Sequence, residues 1–140
     1  MASWPYHHHV DAVIRRKFDA LLEQVLEELP PPWRGLLEQV PLVVEDRPSR
    51  RLAREMEIES DDELCGLYTG TPLTERSVEQ SGTMPEEILI FRMGVLAEAA
   101  DDADRISDVE LKKQIRITVL HEMGHHFGME EEALKELGYE

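Results

Sequence analysis

The chain has 140 residues, 41% of them hydrophobic, and a net charge of −15 from 30 acidic and 15 basic residues. That length fits one domain with a modest core. The charge argues against nucleic-acid backbones and anionic membrane surfaces as partners, because both repel it.

The single cysteine, Cys65, can form no intrachain disulfide and belongs to no C-x-x-C site. No stretch reaches the length of a membrane span. Residues 1–10 lack the apolar core of a signal peptide. The expectation is a soluble cytoplasmic protein.

In chain order, residues 1–10 read as a frayed, disordered tail, and His7-His8-His9 within it as a polar end rather than a metal tract. Val10, Ile14, Phe18, Leu21, Leu22, Val25, Leu26 and Leu29 recur at helical spacing, so a first amphipathic helix is predicted over 11–29. Asp11 opens it and Pro30-Pro31-Pro32 ends it. A short helix over 32–38 follows, with proline tolerated in its first turn. Val40 to Val44 reads as a strand, and Pro41 sets it at an edge or delays its start. Residues 47–63 are dense in both charge signs and read as a solvated loop with one helical turn near 51–57. Leu67 to Ser77 holds Gly70 and Pro72 and reads as a turn-rich loop; Ser81 to Pro85 is a second break.

Ile88 to Phe91 predicts a buried strand. Gly94 to Asp104 is ambiguous: Leu96, Ala97, Ala99 and Ala100 suggest a short helix, and the acidic run 101–104 suggests its end or a loop. Ser107-Asp108-Val109-Glu110 fits a capping box. From there to Phe127 only Gly124 weakens a helix, at about 1 kcal/mol against Ala. Ile115, Ile117, Val119 and Leu120 make that helix apolar on more than one face, so it should be central. Gly128 can end it, and a last short helix is predicted over 130–137.

The chemistry concentrates in His121-Glu122-Met123-Gly124-His125. Two histidines at i and i+4 on one helix face can share one zinc ion, with the Glu beside the metal's open position. His121 and His125 are the candidate zinc ligands. Glu122 is the candidate general base, taking a proton from metal-activated water as it attacks an amide carbonyl. A catalytic zinc usually has three protein ligands. If the chain turns at Gly128, Glu131 can swing back as the third, giving H-E-x-x-H-x-x-G-x-x-E; Glu130 and Glu132 are rivals. His126 points about 100° away from His125 and reads as a packing residue. Tyr139 reads as packing on the core, with an oxyanion contact as the alternative. Tyr68 and Arg92 need no active-site role.

These residues resemble the small bacterial zincin-like metallopeptidase family. Upstream, Leu26 to Pro30, Val43 to Asp46, Gly66 to Ser77 and Ile88 to Arg92 resemble its helix end, first strand, central loop and next strand. The resemblance implies an α+β minimal zincin over 11–140, with helices packed on a small mixed or antiparallel sheet and the metal helix near the C-terminus. It makes residues 50–62 a charged surface insertion. It implies Asp where Glu131 stands, one methylene shorter.

The leading expectation is a peptidase with one Zn2+, acting on peptide or protein substrates, with no nucleic-acid or membrane partner. In zincins an edge strand pairs with the extended peptide, and Ile88 to Phe91 is a candidate for that sheet. The alternatives are a non-catalytic binding module on a zincin scaffold, with structural or absent metal, and a metal-free core helix whose histidines are satisfied by hydrogen bonds.

Overall fold

The computed structural model describes residues 2–70, 86–129 and 131–136, without the side chains at 131, 134 and 135. Most of the expected turn-rich loop, the break at 81–85, Glu130, Leu137 and Tyr139 lie outside the described residues.

Helix α1 spans Ala12–Glu28, and Asp11 caps it by accepting from the Ile14 amide at 2.8 Å. The helix ends at the prolines, as the backbone requires: Leu29 is extended, and α2, Pro31–Leu36, starts with proline in its first turn. Strand β2 covers Leu42–Glu45 and α3 covers Arg50–Glu55. Strand β3, Gly66–Thr69, precedes β4, Glu87–Phe91, which runs directly into α4, Arg92–Ala99. A short β5, Arg105–Ser107, leads into α5, Asp108–His126, and α6 spans Glu131–Glu136.

Three of the described strands form a mixed sheet in the order β2-β4-β3, with β4 parallel to β2 and antiparallel to β3. Ile88 to Phe91 is therefore the middle of the sheet. Ile88 and Ile90, two apart on one face, are fully buried. Pro41 has both effects expected of it: β2 begins after it and lies at an edge, while its carbonyl accepts from the Ile88 amide. Leu67 to Thr69, expected as loop, instead pairs with β4 together with Gly66. Two residue pairs carry it there: Leu67 opposite Leu89 and Tyr68 opposite Ile88.

Helix α5 is the central element. Leu111, Ile115, Val119, Leu120 and Met123 are wholly buried in the same cluster as Phe18, Leu22 and Val25 of α1 and Val95 and Leu96 of α4. Burying an aliphatic side chain of this size contributes about 1.5–3 kcal/mol, which outweighs the modest propensity cost of the β-branched residues. Ser107 caps α5 by accepting from the Glu110 amide at 3.2 Å. The return bond of a capping box from the Glu110 side chain does not form among the described residues.

The N-terminal segment departs from the expected disordered tail. Ser3–Pro5 forms β1, antiparallel to β5, and Tyr6 is 1% exposed. His8 stands near two carboxylates, with Nε2 3.2 Å from Asp104 and Nδ1 3.8 Å from Asp62. The apolar bodies of Trp4 and Tyr6 join the core, and this burial holds a segment that polar composition alone leaves free.

Arg92 is a structural residue. Its guanidinium donates to Asp19 at 2.8 and 3.0 Å and to Asp46 at 2.9 Å, and Arg15 grips Asp46 from the other side at 2.6 Å. The network ties α1, the end of β2 and the start of α4 together. Hydrogen bonds from Arg15 hold the Asp46 carboxyl below its usual range; partial burial opposes them and Arg92 reinforces them. A carboxyl pKa depressed by folding stabilises the fold above its ordinary value, about 3.9, and that stability is lost as pH falls through the folded value. The stability gap between wild type and Asp46→Asn, measured by thermal melts, should therefore be constant near neutrality and close below about pH 4. A gap that widened on acidification would refute the assignment.

Candidate metal centre

The two histidines of the motif converge. His121 Nε2 and His125 Nε2 lie 3.1 Å apart, their ring centroids are 4.7 Å apart, and the rings stand at 80° to each other. One helical turn of separation on α5 produces this, since i and i+4 side chains share a face. Tetrahedral zinc with nitrogen at about 2.0–2.1 Å separates its two nitrogens by roughly 3.3 Å, so the observed spacing suits the ion.

The tautomer of His125 also suits it. Its Nδ1 lies 3.1 Å from the Met129 carbonyl, which can only accept, so Nδ1 carries the proton. In neutral imidazole that leaves the Nε2 lone pair directed at the shared point. Gly128 makes this contact possible. Its φ of +81° turns the chain at the helix end and brings the Met129 carbonyl back over His125.

Glu122 is 7% exposed, with one carboxylate oxygen accepting from the Tyr68 amide of β3 at 3.0 Å. The other oxygen lies 3.9 Å from His121 Nε2, on the side of the histidine pair. An anchored carboxylate beside the pair has the geometry of a base aimed at a metal's open position.

The candidate third ligand, Glu131, lies at the margin of the described residues. Helix α6 begins at Glu131, within reach in sequence of the Gly128 turn, but the Glu131 side chain and all of Glu130 lie outside them. Glu132 is exposed. Among the described residues no group of three potential metal ligands is assembled.

His126 does not join the pair. It is 4% exposed, and its Nδ1 lies 2.8 Å from Glu86 and 3.3 Å from the Tyr68 hydroxyl, which donates to Glu86 at 3.1 Å. Tyr68, to which the sequence assigns no active-site role, therefore touches the site. Its amide holds Glu122, and its hydroxyl meets the residue next to His125. The available signal was the β-prone run Leu67-Tyr68-Thr69, masked by Gly70 and Pro72 behind it.

Cys65 sits beside the site without joining its chemistry. Burial, followed by the nearby Glu98 and Glu122 carboxylates, pushes its thiol up to about 12. It stays protonated at neutral pH, so it is neither a nucleophile nor a ready ligand.

No described helix is long and apolar enough to cross a membrane. No curated protein matches the chain in a sequence comparison. A model of one protein family, described as zincin-like metallopeptidase, matches residues 37–139. The match begins after α1, so the resemblance noted for Leu26 to Pro30 falls outside it. The observed helices and small sheets agree with the α+β zincin-like fold. On the strength of a match that spans most of its length, the chain belongs to the zincin-like metallopeptidase family.

Proposed function

We propose that this protein is a zinc-dependent peptidase in which His121, His125 and Glu131 hold one zinc ion and Glu122 is the general base. The observation that carries this reading is the 3.1 Å approach of the two Nε2 atoms with the Glu122 carboxylate alongside. Zinc, when bound, supplies Lewis acidity toward the scissile carbonyl and acidifies water.

The chain's own residues do the rest. His125 presents a lone pair because Met129 fixes its tautomer. Glu122, held by the Tyr68 amide, accepts a proton from the attacking water and returns it to the leaving amine. Among the described residues β3 is an outer strand next to Glu122, so an extended peptide can add to that edge through main-chain hydrogen bonds. β4, in the middle of the sheet, cannot take that role.

Calorimetric titration tests the metal site directly. Metal-free protein should take up one zinc per chain. His121→Ala and His125→Ala should each abolish tight binding, and Glu131→Ala should weaken it. Cleavage of unstructured peptides should appear with zinc and vanish with chelator. A protein that takes up no zinc, or that cuts nothing when loaded, defeats the reading; the second outcome would leave a binding module on a zincin scaffold.

A further inference from the structure

Beside the histidine pair lies a cavity of about 190 Å³. Leu64 and Cys65, just before β3, form one wall, and Thr118 of α5 forms another. His121 and Glu122 of α5 complete the lining, and Glu98 of α4 stands in it as an exposed carboxylate. Sites for whole small molecules are usually about 300–1,000 Å³. This space suits a single side chain that projects from a backbone lying along β3.

The lining has an order to it. The leucine, the protonated thiol and the threonine methyl offer contacts to a run of methylenes. Glu98 then offers a negative charge, and it forms no salt bridge among the described residues. Its field reaches inward, since with Glu122 it raises the Cys65 thiol. Glu98 is exposed whereas Glu122 is 7% exposed, so Glu98 lies on the solvent side of the lining and Glu122, next to the candidate ligand His121, on the interior side. A substrate cation would meet Glu98 on that solvent side. The net charge of −15 draws basic peptides toward the whole molecule.

We infer that this cavity receives the side chain flanking the scissile bond, and that Glu98 makes it select lysine or arginine. The inference rests on the peptidase reading above, so its test carries one arm that needs neither metal nor cleavage.

In the first arm, zinc-loaded protein is offered peptides that differ only at one residue, as Lys, Arg, norleucine or Glu. Lys and Arg should be favoured over norleucine by about two- to fivefold, the scale of one exposed ion pair. The preference should shrink in high salt, disappear in Glu98→Gln and invert toward Glu in Glu98→Lys. In the second arm, short blocked peptides are titrated into metal-free protein while the amide resonances of Cys65, Gly66 and Thr118 are followed. Lys peptides should shift them at lower concentration than norleucine peptides, and Glu98→Lys should reverse that order.

Equal use of Lys and norleucine, or a preference unchanged in Glu98→Lys, overturns the inference and leaves the peptidase reading standing. Glu98-dependent shifts in a protein that cleaves nothing support the cavity's selectivity while the peptidase reading fails.

Discussion

Glu122→Gln is expected to abolish peptide cleavage while leaving zinc uptake and folding intact. The substitution is nearly isosteric. The glutamine carbonyl oxygen can still accept from the Tyr68 amide, so the bond between β3 and α5 survives. What disappears is a group able to take a proton. Positioned acid–base groups contribute about 10²–10⁴-fold to rate, and kcat/KM should fall by at least the lower figure. Zinc stoichiometry should stay at one per chain, because the two histidines and the Met129 contact that orients His125 are untouched. Full activity in this variant would falsify the mechanism. Lost zinc binding would instead mark Glu122 as a ligand, and so remove it from the role of base.

Gly94→Ala should strongly destabilise the protein, although simple helix propensity predicts the reverse. Gly94 lies inside α4, where alanine is better by about 1 kcal/mol. The glycine's Cα, however, packs against the chain that enters β3. An added Cβ would stand 2.1 Å from the Leu64 carbonyl oxygen, 2.5 Å from its carbon and 2.9 Å from the Cys65 nitrogen. All three are backbone atoms, so no rotamer change relieves the contact. Overpacking typically costs about 1–3 kcal/mol and more where backbone must move. The steric cost therefore exceeds the propensity gain. Urea unfolding should show a lower midpoint with an unchanged slope. Because Leu64 and Cys65 also wall the cavity beside Glu122, activity should fall in the fraction that remains folded. A raised midpoint would mean that α4 and the entry to β3 are not packed together as described.

Much of helix α5 is legible in the residues. Ser107 at its start, Gly128 at its end and the apolar positions between are local signals, and each acts within one or two turns. The His121–His125 pairing follows from helical periodicity alone, so the motif specified its own geometry. The first helix was equally clear, with Asp11 at one end and prolines at the other. The strand at Ile88 to Phe91 follows from its uninterrupted apolar run, as a buried central strand requires.

Long-range contacts decided the rest. The expected tail residue Tyr6 is buried because β5 offers a pairing edge about a hundred residues downstream, and no local pattern announces that partner. Gly66 to Thr69 became a strand because Leu89 and Ile88 stand opposite, which overrides the turn signals that follow it. Tyr68 could hold Glu122, and Glu98 could face the cavity beside it, only after β3 and α4 had packed on α5. The sequence by itself determined which residues are the candidates for the chemistry and on which helix they lie, since caps and periodicity act over a few residues. Tertiary packing alone decided which strand lies beside them and what charge lines the neighbouring cavity, since those contacts join segments far apart in the chain.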